Sequence, residues 1–126
     1  MSVGHDEKFD ITVQGCPSRS VLRHATDRWT PLIVPALAGG ALRFSALKEA
    51  VAGVSSKVLT ETLRSLQRDG LVHREVFVDH TPIRVEYELT ELGRTLILPL
   101  AALRTWAETY APDVLKARDV YDAGSE

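Results

Sequence analysis

With 126 residues, 44% of them hydrophobic, the chain is sized for one domain with a real core, and its 25% charged and 6% aromatic residues are ordinary for a globular protein. A formal net charge of -2 excludes nucleic-acid binding through an overall positive field, so any DNA contact requires basic residues sorted onto one face. The single cysteine, Cys16, excludes an intramolecular disulfide and a multi-cysteine zinc site; with no membrane-length apolar run and no signal-peptide pattern, the expectation is a cytoplasmic protein without a membrane partner.

Residues 1–14 are polar with scattered Phe9, Ile11 and Val13, and read as a flexible N-terminal arm. Gly15-Cys16-Pro17-Ser18 suits a helix start, with proline in the first turn and Ser18 available as a cap. Val21, Leu22 and Ala25 then mark a short amphipathic helix. Thr30-Pro31 reads as a second cap and first position, opening a helix over 31–38 that is apolar nearly all round and is therefore expected to be the most buried. Gly39-Gly40 stops it. Residues 44–70 predict two helices joined by Ala52-Gly53-Val54, with Ser45 capping the first and Ser55 or Ser56 the second. Leu59, Leu63 and Leu66 recur at steps of four and three on one face of the second, and Asp69-Gly70 ends it.

After Gly70 the period changes from helical to alternating. Residues 71–78 and 84–90 predict two strands, joined by a hairpin loop over 79–83. Val85, Tyr87 and Leu89 share one face, and Arg84, Glu86 and Glu88 the other. Thr90 then caps a long helix from Glu91 to about Tyr110, which Pro99 is expected to bend. Its stripe of Leu92, Leu96, Leu100, Leu103 and Trp106 or Ala107 is more apolar surface than one thin domain covers, so the helix is expected to pair with a second copy. The layout is an arm over 1–14, one domain over 15–110, and a C-terminal extension over 111–126 with a short helix and a frayed tail.

Two helices around a glycine-containing turn are the helix-turn-helix signature, in which the second helix enters the DNA major groove. A β-hairpin directly after them makes a winged helix. The fold class expected is therefore α+β, mainly α: a winged helix-turn-helix with a β-hairpin wing and additional N- and C-terminal dimerisation helices. Ser55, Ser56 and Thr60 give the second helix a small polar face that base edges can approach. On that face Lys57 and Arg64 are the leading candidates for DNA contact, and Glu61 can accept from a cytosine amino group or repel phosphate. Arg84 at the base of the wing, His80 at its tip and Arg43 at the entry of the motif are further candidates for backbone contact. Charge limits this reading. Residues 56–68 carry a net +2, from Lys57, Arg64 and Arg68 against Glu61, whereas 43–94 carry eight basic and eight acidic residues. The expectation is modest non-specific affinity and a salt slope set by few contacts.

Taken together, several runs resemble the HxlR family of bacterial winged helix-turn-helix transcriptional regulators, relatives of the MarR group. They are Cys16-Pro17, Trp29-Thr30, Arg43-Phe44, Gly53-Val54-Ser55-Ser56-Lys57-Val58-Leu59, Gly70-Leu71-Val72 and, most specific, Arg84-Val85-Glu86-Tyr87-Glu88-Leu89-Thr90-Glu91-Leu92-Gly93. The chain departs from the family pattern before Trp29, at Pro31 and Pro35, and at the wing tip, which has lost one of the usual paired prolines. The resemblance implies a homodimer built by the helices at both ends, double-stranded DNA as partner, and a DNA helix beginning near Ser55. In several members of that family a cysteine at the place of Cys16 senses quinones, aldehydes or oxidants, and the resemblance extends that expectation to Cys16.

Cys16 is thus a candidate redox sensor: it lies near a helix N-terminus, where the dipole favours thiolate, with Arg19 one turn on. The alternative trigger is a small apolar effector at the dimer interface, near Trp29, Leu32, Trp106 and Tyr110. The function expected is a sequence-specific transcriptional regulator, a repressor on a pseudo-palindromic operator. The competing class is a winged-helix protein-interaction or small-molecule-binding module without sequence-specific DNA binding. His5, His24, His73 and His80 lack metal-ligand spacing, and neither a phosphate loop nor a nucleophile elbow is present, so no enzyme, cofactor or metal is expected.

Overall fold

The computed structural model describes residues 9–124. Helix α1 (Pro17–Thr26) has Cys16 at its N-cap and Pro17 in its first turn, as the sequence suggests. Its apolar residues are not its buried ones. Val21 and Leu22 are exposed, and His24 is the residue turned inward. Ser18 caps no backbone N–H; its hydroxyl donates instead to the Phe9 carbonyl.

Helix α2 (Thr30–Leu37) begins one residue earlier than expected, because Asp27 supplies the cap. The Asp27 carboxylate accepts from the Trp29 N–H at 2.8 Å, the Thr30 N–H at 3.0 Å and the Thr30 hydroxyl at 3.2 Å. A carboxylate at a helix N-terminus gains from both the unpaired N–H groups and the dipole, and so outcompetes the Thr30 hydroxyl. Thr30, Ile33, Val34 and Leu37 are buried, which makes α2 the central helix of the domain.

A two-residue strand, β1 (Leu42–Arg43), was not legible in the sequence. It places Arg43 in extended backbone at the N-cap of α3 (Phe44–Ala50), so Ser45 falls inside the helix and caps nothing. Gly53 turns the chain at φ +90°, and Ser55 caps α4 (Ser56–Arg68) by accepting the Val58 N–H at 3.1 Å. Leu59, Leu63 and Leu66 of α4 are buried. At its far end Gly70, at φ +76°, lets the Gly70 N–H reach the Gln67 carbonyl and the Leu71 N–H the Leu66 carbonyl, the paired bonds of a Schellman cap.

Strands β2 (Val72–Phe77) and β3 (Arg84–Leu89) form the wing, and the sheet runs β1-β3-β2, all antiparallel. Thr90 ties its base to the turn after α4. Its N–H donates to the Leu71 carbonyl at 3.1 Å and its hydroxyl to the Gly70 carbonyl at 2.6 Å, while that hydroxyl accepts the Gly93 N–H at 3.0 Å.

The long helix expected from Glu91 is two helices, α5 (Glu91–Arg94) and α6 (Ile97–Gly124). Three-residue bonds from Thr95 to Leu92 and from Leu96 to Gly93 tighten the end of α5 and redirect the chain. Pro99 therefore lies in the first turn of α6, where its missing N–H costs nothing and bends nothing. Nor does the helix end near Tyr110. It runs on through Pro112 to Gly124, about 42 Å for 28 residues. Only Leu100 of α6 is buried, and residues 101–124 are all exposed.

The core is a single cluster from α2, α3, α4 and the wing base, with Leu100 entering from α6.

Candidate nucleic-acid interface

The three core leucines of α4 fix which way its other residues face. Ser56, Lys57, Glu61 and Arg64 are exposed on the opposite side, and Thr60 is partly so. Ser55 stands at the leading end with its hydroxyl committed to the cap.

The wing adds a second wall. Strand pairing sets Arg74 opposite Tyr87, on the face of the hairpin that turns toward α4. Between them lies a groove of about 560 Å³, lined by Thr60, Leu63, Arg64, Gln67 and Arg68 from α4 and by Arg74 and Tyr87 from the wing. Three arginines and no carboxylate line it. Among the described residues none of Lys57, Arg64, Arg68 and Arg74 is held in an ion pair, so these charges are available to an outside partner. Gln67, Arg68 and Arg74 were not singled out from the sequence. Arg68 follows Arg64 by one turn and was visible in principle. Arg74 was not, because its face depends on the register between β2 and β3.

The opposite face of the wing is acidic. Glu75 pairs directly with Glu86, an arrangement that is repulsive unless neutralised. Arg84 supplies neutralising charge, donating from Nε to Glu86 Oε2 at 2.7 Å, and the His73 ring contacts Glu75, with Nε2 2.7 Å from Oε1. Arg84 thus has its charge spent inside the wing. Arg43 is exposed and lies across from Glu86 in the sheet. His80 at the tip contacts Asp79 Oδ1 at 3.1 Å and packs edge-on against Phe77. The face that can approach phosphate is therefore the Arg74 face.

The remaining candidates lie elsewhere. Cys16 is 6% exposed, and its Sγ is 2.8 Å from the Ser18 hydroxyl. Arg19 does not face the sulfur: its guanidinium donates to the carbonyls of Ile11 at 2.9 Å and Thr12 at 3.2 Å. Together with the Ser18–Phe9 bond, this fastens residues 9–12 along the first turn of α1. Asp10 stabilises the same segment, and the Thr12 hydroxyl and N–H that it accepts hold its carboxyl below the ordinary range. The part of the expected arm over 1–8 lies outside the described residues. Trp106 and Tyr110 are neighbours on α6, with ring centroids 6.3 Å apart. Trp29 instead packs on the core beside the Gly53 turn, with the Arg28 guanidinium over its ring, and Leu32 is exposed on α2. None of these four lines either cleft described in this chain.

A capped helix presented on a helix-turn-helix, flanked by a hairpin with a cationic inner face, defines a winged helix-turn-helix transcriptional regulator. The profile of the HxlR-like helix-turn-helix family matches residues 25–114, and the chain belongs to that family. It is 43% identical over 110 residues to the helix-turn-helix transcriptional regulator YtfH of Escherichia coli (strain K12), covering 87% of this chain and 86% of that one. The structure of the YtfH regulator of Salmonella typhimurium superposes with a TM-score of 0.77 at 42% identity, over 86% of this chain and 96% of that one. The redox regulator HypR in its reduced form gives a TM-score of 0.69 at 34% identity, over 80% and 98%. Among the described residues no helix is long and apolar enough to cross a membrane.

Proposed function

We propose that the protein is a homodimeric repressor that occupies a pseudo-palindromic operator with one α4 per half-site and lets go when Cys16 is oxidised or alkylated. The observation that carries the DNA-reading part is the groove of uncommitted arginines between α4 and the wing, continuous with exposed Lys57. Lys57 and Arg64 read base edges from the leading part of α4, and Arg68 and Arg74 grip phosphates. Dimerisation rests on α6, where Leu103, Trp106, Tyr110, Leu115 and Tyr121 stand in water, and on exposed Val21 and Leu22 of α1.

The trigger rests on burial. Cys16 is buried with its Sγ 2.8 Å from the Ser18 hydroxyl, which in turn holds Phe9, so adding its sulfur to a quinone carbon, with the thiol proton passing to the ring oxygen, requires the start of α1 to open. The similarity to a redox regulator favours the same reading. The exposed Trp106–Tyr110 pair supports a second trigger, a planar apolar ligand stacking at the dimer interface.

The test is anisotropy titration of DNA taken from upstream of the protein's own gene, across a range of salt, with wild type beside Lys57→Ala/Arg64→Ala. Tight, sequence-selective binding lost in the double mutant is the expected result. Weak binding that the mutant leaves unchanged refutes the assignment and favours an interaction module. Benzoquinone should then release DNA from wild type and not from Cys16→Ser. Release of both moves the trigger to the apolar site.

A further inference from the structure

The recognition helix is held to the core on one side only. On the other, a cleft of about 680 Å³ separates α4 from α1, lined on the α4 side by Glu61, Thr62, Ser65 and Arg68. One direct bond is seen across it. His24 Nε2 of α1 lies 2.6 Å from Oδ2 of Asp69, the C-cap residue of α4. His24 is 8% exposed, and the Asp69 side chain is 39% exposed. A short bond from a buried imidazole to a carboxylate, at the negative end of a helix dipole, is a strong constraint on where that end sits. Buried Leu66 and Leu71 and the Thr90 bonds to Gly70 and Leu71 hold the same end to the core and the wing; the His24–Asp69 bond ties it to α1.

We propose that His24 is a positioning residue for DNA recognition: by holding Asp69 across the cleft, it fastens the C-terminal end of α4 to α1, whose N-cap is Cys16. The proposal rests on α4 being the DNA-reading helix. It places no contact between His24 and DNA. The Arg68 guanidinium of the cationic groove also borders this cleft, so a tilt at the Asp69 end moves the phosphate grip directly.

The experiment is a double-mutant cycle on the full-length protein with His24→Ala, Asp69→Ala and both together, plus His24→Gln, whose amide nitrogen reaches the place of Nε2. Two quantities are read: operator affinity, and amide hydrogen exchange of residues 66–69 in the DNA-free protein against Leu47 as internal reference. Losing this half-buried, charge-assisted bond should weaken affinity and speed local exchange by about tenfold in each single mutant, with the double mutant no worse than either. His24→Gln should restore both. The two readouts keep the proposal separate from the reading it rests on. If wild type binds no operator, the exchange data alone decide, and a shared, non-additive acceleration sustains the coupling while the DNA assignment falls. Additive effects, a His24→Gln protein as impaired as His24→Ala, or a His24→Ala protein identical to wild type overturns it.

Discussion

Gly93 is the position where the smallest change should do the most damage. It is buried in α5, where α5 crosses the start of the wing. A Cβ there would collide with the Leu71 carbonyl oxygen and sit 2.9 Å from its carbon, against an ordinary carbon–carbon separation of about 3.5–4.0 Å. Leu71 cannot swing aside, because its carbonyl accepts the Thr90 N–H at 3.1 Å. Thr90 is itself held at 2.6 Å to Gly70 and 3.0 Å to Gly93. Relief therefore means breaking at least one or two of these bonds, at about 1 kcal/mol each, on top of about 1–3 kcal/mol for overpacking. Alanine returns about 1 kcal/mol in helix propensity. The net expected loss for Gly93→Ala is about 1–4 kcal/mol, a substantial part of the 5–15 kcal/mol typical of a domain. Urea unfolding followed by circular dichroism measures it, with Gly39→Ala as control, since a Cβ at Gly39 meets nothing within 4 Å. A Gly93→Ala protein within about 0.5 kcal/mol of wild type would refute the reasoning, and with it the claim that this glycine is required by close approach of two backbones.

Arg68→Ala and Arg74→Ala should each lower affinity for operator and random DNA alike and reduce the salt slope by about one, measured by anisotropy over a salt series; a change in base preference would mean they read sequence. Ser55→Ala removes the hydroxyl that accepts the Val58 N–H and should cost about 1 kcal/mol in thermal unfolding, with weaker operator binding because the leading turn of α4 frays. Leu103→Asp/Trp106→Asp should convert a dimer to a folded monomer by analytical ultracentrifugation, since both residues are exposed within one chain; an unchanged sedimentation profile would place the interface elsewhere.

Periodicity revealed the parts of this fold whose physics is local. The stripe of Leu59, Leu63 and Leu66, the serine cap and the Gly70 terminator are each decided within a turn or two of helix; the spacing places the stripe and the terminator, and narrows the cap to Ser55 or Ser56, of which Ser55 serves. What escaped was decided by partners distant in sequence. Strand β1 exists because Leu42 and Arg43 find Tyr87 and Glu86, more than forty residues on. The break between α5 and α6 follows the three-residue bonds at Thr95 and Leu96, just after Gly93 comes against Leu71, more than twenty residues back. Thr30 lost its capping role to Asp27, whose spacing suits it but whose charge was overlooked.

The same distinction governs the DNA-facing site. Counting charges over 43–94 yields zero and predicts weak binding, yet the zero is an average over two unlike faces. On the outer face of the wing, Arg84 is taken up by Glu86 at 2.7 Å, and Glu75 contacts the His73 ring at 2.7 Å. On the inner face Arg74 has no carboxylate beside it and joins Arg64 and Arg68 around one groove. An acidic wing face also works as a constraint on the proposed mode of binding: phosphate repels it, so in that mode the inner face is brought to the backbone. Neutral composition and a cationic groove are therefore compatible: three of the eight carboxylates over 43–94, Glu75, Glu86 and Glu88, lie on the outer wing face, and none of the eight lines the groove.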